Sequence, residues 1–131
     1  MRKYLFILVA VFALIGCRKD SKSLNLIGKW ELRSTLNGLT GARTDHPAGN
    51  GSFLKFSEVR YESYFNDQLI KSGSFRIVMD RSAITEEPTQ RIIYDNETDA
   101  VKSFIRIDGN ELTVWIDAYD GPSMVYERKY Q

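Results

Sequence analysis

One histidine, one cysteine and two groups of acids are the residues of this 131-residue chain with the means to do chemistry. His46 follows Asp45 and precedes Pro47, an order in which a carboxylate could steer an imidazole or the two could share a metal ion. A metal centre needs three or four ligands, and the chain has no second histidine and no cysteine besides Cys17. A Ser-His-Asp relay would draw on the many serines, yet no Gly-x-Ser-x-Gly elbow occurs. Glu86-Glu87 is one acidic pair; Asp95-Asn96-Glu97-Thr98-Asp99 is the other group. The latter lacks the central glycine and closing glutamate of an EF-hand loop and reads as a solvated turn. No nucleophile, base and stabiliser converge in the pattern. The expectation is a protein that is not an enzyme and carries neither cofactor nor metal.

Cys17 has a different chemistry to offer. As the sole cysteine it cannot form an intrachain disulfide, and its setting is specific. Met1-Arg2-Lys3 is a basic start, and residues 4–15 are twelve apolar or aromatic side chains in succession. That length fits the roughly 7–15-residue core of a secretory signal and is short of the ~20 residues of a membrane-spanning helix. The run ends Leu14-Ile15-Gly16-Cys17, which resembles the lipobox of bacterial lipoprotein precursors. The resemblance implies that residues 1–16 are a signal peptide, cleaved off before a diacylglycerol-modified Cys17. Several acyl chains on one residue give stable anchoring, where one alone binds a membrane marginally. Arg18-Lys19 lacks the aspartate that lipoprotein sorting rules treat as an inner-membrane signal, so the resemblance points to the outer membrane.

Arg2 and Lys3 leave with the signal, which lowers the 18 basic side chains to 16 against 17 acids. A near-neutral surface of mixed sign offers nothing to attract nucleic acid. Residues 17–25 are short and polar and read as a tether. Residues 26–131 are enough for one domain with one core.

The elements that must carry any site read in steps of two. Eight segments alternate apolar and polar side chains or are rich in β-branched and aromatic residues: 27–36, 52–57, 60–66, 72–80, 90–95, 101–108, 111–119 and 123–130. Such alternation marks half-buried strands. Asp108-Gly109-Asn110 is a hairpin signal, Asp120-Gly121-Pro122 marks another turn, and no helical period is sustained. The predicted fold is all-β, an eight-stranded antiparallel up-and-down barrel or a sandwich.

Gly28-Lys29-Trp30 in the first strand resembles the opening Gly-x-Trp of lipocalins, particularly of short lipocalin-like lipoproteins. Those families use the tryptophan to close one end of the barrel and set an arginine of the last strand against it; Arg128 stands at that place. The resemblance extends over residues 26–130 in strand count and spacing, though the Thr-Asp-Tyr motif of classical lipocalins is missing. It favours the barrel, and it implies a small apolar or amphipathic ligand at the open end.

Alternation places Trp30, Leu32, Leu54, Phe56, Tyr61, Phe65, Phe75, Ile77, Ile105, Leu112, Val114, Ile116 and Tyr126 inside. Of these, Trp30, Leu54, Phe56, Tyr61, Phe75, Ile105, Val114 and Tyr126 are the candidate ligand contacts, since a small barrel either fills with side chains or holds one small ligand. The long connection 37–51, with Gly38, Gly41, Gly49 and Gly51, is expected to be a flexible surface loop; the lipocalin resemblance implies the alternative, a loop that gates the barrel mouth. Outward Trp115 and Phe53 would give an apolar patch for an envelope protein partner, the rival to ligand binding.

Overall fold

The computed structural model describes residues 26–130. Cys17, the signal segment and the tether lie outside the described residues. Nine strands run in chain order: β1 (Gly28–Leu36), β2 (Arg43–Asp45), β3 (Phe53–Phe56), β4 (Arg60–Phe65), β5 (Gln68–Arg81), β6 (Pro88–Tyr94), β7 (Ser103–Asp108), β8 (Glu111–Ile116) and β9 (Ser123–Lys129). Neighbours from β3 to β9 pair antiparallel in sequence order, and β1 joins β3 on one side and β9 on the other. The result is a closed eight-strand antiparallel barrel, with no helix among the described residues. Closure satisfies the strand edges that an open sheet would expose.

All eight expected strands are present, and β2 is an addition within the long connection. It pairs with the upper half of β1 (Ser34↔Asp45 to Leu36↔Arg43), while β3 pairs with the lower half (Gly28↔Phe56 to Glu31↔Phe53). His46 N–H donates to Arg33 O and Leu32 N–H to Ser52 O, so β2 and β3 run as one strand position interrupted by the excursion 47–51. Its three residues, Arg43, Thr44 and Asp45, are all exposed, which is why no alternation betrays it.

The core is built from the inward side chains of all eight barrel strands. Phe56 meets Phe75 edge-on at 5.0 Å and Tyr61 meets Tyr94 at 4.6 Å, spacings at which aromatic quadrupoles attract. Phe65, expected inside, is 57% exposed. It pairs with Gln68 at the tip of the β4–β5 hairpin, beyond the last β3–β4 pair, Phe53↔Tyr64, so alternation gives its side but the neighbouring strand has already ended. The hairpin then turns through Asn66 and Asp67, both at positive φ, as tight hairpins require.

One end of the barrel is plugged. Trp30 is fully buried, and its indole N–H donates to Leu26 O at 2.8 Å. The Arg128 guanidinium lies 4.1 Å from the indole centroid and donates to Ile27 O at 2.8 Å. Gly28 sits at φ +134°, and a Cβ there would come within 3.1 Å of that guanidinium. The plug thus needs glycine, tryptophan and arginine together, the three residues on which the resemblance rested. Trp30→Ala is expected to cost about 3–5 kcal/mol, the range for deleting a large buried ring. Urea denaturation reads it, and a loss below about 1 kcal/mol would show that the plug is dispensable.

Candidate functional site

The side chains expected to contact a ligand come together, but chiefly with one another. Trp30, Phe56, Tyr61, Phe75, Ile105, Val114 and Tyr126 are buried, and Leu54 packs against them half-buried. The space they occupy is apolar enough to act on its phenols. Burial pushes Tyr126 up to about 12; burial, with Tyr126 and Tyr61 nearby, pushes Tyr94 higher still.

Ligand-sized space lies in the wall. β6 and β7 share only the pairs Gln90↔Ile105, Arg91↔Phe104 and Ile92↔Ser103, so the start of β6 and the end of β7 part. A cleft of about 570 Å³ opens between them, lined by Met79, Pro88, Ile105, Ile107 and Trp115 with the polar Gln90 and Arg106 among others. A second cleft of about 340 Å³ shares Thr85, Arg106 and Trp115 with the first and continues over β8 to Ile116 and Ser123. A third, about 290 Å³, lies over β1, β8 and β9 and includes Arg33, Glu127 and Tyr126. Of the eight expected contact residues, Ile105 reaches the first cleft and Tyr126 the third.

Trp115 and Phe53 do not form an open patch. Trp115 is half-buried and stacks on fully buried Phe104 at 5.9 Å; Phe53 stacks on Tyr64 at 4.3 Å under the Lys29 ammonium. Phe104 faces away from the barrel interior, on the side opposite Ile105, and is buried nonetheless. Connections fold back over that outer face and are held there by ion pairs. Arg91 reaches Asp80 at 3.1 Å and Thr98 O at 2.7 Å, and Lys102 reaches Asp80 at 3.0 Å. Lys102, with the Arg81 amide and Arg91, holds the Asp80 carboxyl below its ordinary range.

The β5–β6 connection, which supplies Thr85 to both larger clefts, is gripped by Asp117. Its carboxylate accepts from the Ser82 hydroxyl at 2.6 Å and the Ala83 amide at 2.7 Å. Ser82 Oγ in turn accepts from the Ile84 and Thr85 amides, both at 3.1 Å. These positioning residues were invisible in the sequence, because a serine and an aspartate 35 positions apart carry no local signal of their pairing.

The long connection 37–51, expected to be flexible, is instead tied down. Gly49 N–H donates to Glu31 Oε1 at 2.7 Å, and the Asn50 amide donates to Leu32 O and Pro47 O while accepting from Ser52 N–H. Glu31 is buried on the outer face beside Lys129 at 2.9 Å. Burial alone would raise its carboxyl, but Lys129, the Gly49 amide and Arg33 bring it below the ordinary range.

His46 and Asp45 do not pair. Asp45 turns to Arg43 at 2.8 Å, and His46 Nε2 lies 3.3 Å from Thr35 Oγ1. Asp95 accepts from the Tyr61 hydroxyl and the Ser74 amide, each at 3.0 Å. Among the described residues no three His, Cys, Asp or Glu side chains are placed to hold a metal ion. Neither a protein-family model, nor a curated protein, nor a solved structure matches the chain.

Asp117 yields a pH prediction. Burial raises its carboxyl, but Ser82, the Ala83 and Ile84 amides and Lys102 lower it further, leaving it below the ordinary value. A depressed folded-state pKa stabilises above the unfolded value, and that stabilisation is lost as pH falls through the folded one. Asp117→Asn should therefore lower stability at neutral pH by about 1–3 kcal/mol and flatten the acid limb. Urea midpoints measured from neutral pH downward would show it; parallel acid limbs for the two proteins would contradict it.

Proposed function

We propose that this chain is a lipid-anchored lipoprotein of the bacterial outer membrane whose lipocalin-like barrel binds a small apolar or amphipathic ligand. The observation that carries the binding reading is the cleft of about 570 Å³ where β6 and β7 separate. Its volume falls in the ~300–1,000 Å³ range of small-molecule sites, and its evenly mixed apolar and polar lining suits an amphipathic ligand. The Gly28, Trp30 and Arg128 plug supports the lipocalin likeness, and the Leu14-Ile15-Gly16-Cys17 pattern supports the anchor. The interior residues fit the role of a rigid support behind the cleft, with Ile105 as their contribution to its wall.

A second reading, a module that binds another envelope protein, draws on a different feature. At the tip of the β4–β5 hairpin Phe65, Leu69 and Ile70 are 57%, 53% and 63% exposed, and clustered exposed apolar side chains mark interaction surfaces.

The anchor is tested by palmitate labelling and fractionation of cells expressing the full chain. Label and membrane association are expected and should both vanish in Cys17→Ala; a Cys17→Ala protein that stays labelled would refute lipidation at this residue. For the cleft, the neutral fluorescent probe N-phenylnaphthylamine should show saturable enhancement. Ile107→Trp, which fills the cleft, should weaken it. Absence of enhancement by the wild-type chain would sink the ligand-binding reading.

A further inference from the structure

Arg106 stands out among the residues of the two joined clefts. It is exposed on the outer face of β7, directly opposite Thr113 of β8, and makes no ion pair among the described residues, whereas Arg33, Arg43 and Arg91 are each paired with acids. Among the described residues lining the cleft of about 340 Å³ it is the only charged one; Ile84, Trp115 and Ile116 give apolar wall, and Thr85, Thr113 and Ser123 give hydroxyls. Glu87, an acid on the larger cleft, is not among its lining residues. A guanidinium without an anion, beside three hydroxyls and an indole, is complementary to an acidic head on an apolar body.

The walls are fixed. Phe104 backs the Trp115 ring, and the grip of Asp117 on Ser82 holds the connection that carries Ile84 and Thr85. Preorganised walls spare a ligand the cost of ordering them. β7 and β8 pair with each other along their whole length, so between them there is no free edge for an added peptide strand. The volume suits a small molecule.

We propose that this outer-face cleft binds the anionic head of a small amphiphile. A carboxylate pairs with Arg106 and accepts from the Thr113 hydroxyl, while the adjoining hydrocarbon or ring lies on Trp115 and Ile84. The inference rests on the ligand-binding reading above and narrows it in two respects: the ligand is an anion, and it sits outside the barrel.

The two tryptophans make the test direct, because Trp30 is sealed in the plug and Trp115 lines the cleft. The full chain would be titrated with a brominated long-chain carboxylate and with the matching brominated alcohol, bromine quenching an indole only on contact. Saturable quenching by the carboxylate is expected, abolished in Trp115→Phe. Arg106→Gln should weaken the carboxylate about tenfold, the scale of one charge-assisted contact, and leave the alcohol unchanged. Arg106→Lys should retain part of the affinity.

Equal binding of acid and alcohol, unaffected by Arg106→Gln, would overturn the anion inference and leave the ligand-binding reading intact. Quenching that persists in Trp115→Phe would place the ligand beside Trp30 and overturn the outer site alone. No quenching by either probe, while N-phenylnaphthylamine still binds, would also remove this site alone; failure of all three would remove both readings. Trp115 emission that follows protein concentration instead of added amphiphile would mean that a second copy covers the cleft, and the proposal would fail.

Discussion

The barrel depends on β1 being satisfied on both edges. Its lower half bonds to β3 on one side, and its length bonds to β9 on the other. Trp30, at the crossing of these two pairings, fills the space that closure creates. Its ring is large enough to end the core, and its single N–H has an acceptor in Leu26 O, which removes the penalty a buried donor would otherwise carry. Arg128 closes over the other face of the problem: its charge lies against the indole and its donors reach a backbone carbonyl. Without that closure β1 and β9 would be edges, and the alternation of every strand between them would lose its inside.

Beside the core that all eight strands supply, the outer surface of the wall offers space for recognition. The wall strands of a small barrel present alternate residues to water, and here several are covered by connections that fold back. Phe104 and Ile93 are buried on that side, and Arg91 and Glu31 are buried with charges opposite them. Such pairs add modestly to net stability, but breaking one would strand a charge. They therefore hold the 95–102 and 37–51 connections against the wall, whereas the connection beside the clefts at Trp115 is held by Asp117.

The period of two made the eight barrel strands legible, because each buries one face over several residues. The plug was legible too, since Gly28, Trp30 and Arg128 are unusual residues at the chain positions where a closed barrel needs them. What escaped reading has a common cause in non-local geometry. β2 is three exposed residues that are a strand only because β1 has spare length. Phe65 sits at a hairpin tip where β3 has already stopped pairing, which the alternation along β4 does not report. Trp115 looked like an open patch because alternation reports which side of a sheet a residue faces, while the ring it stacks on, Phe104, lies on the neighbouring strand. The glycines of 37–51 suggested slackness, yet Glu31 and Asn50 supply the bonds that tie the segment down.

Leu26 is fully buried, and its carbonyl is held by the plug tryptophan. The barrel therefore grips the incoming chain at the first described residue. A pull on the chain just before Leu26 would act on the plug, through Trp30 and the β1 pairings that close the barrel. Were the chain anchored as proposed, load would enter the fold through β1, which is bonded along both of its edges.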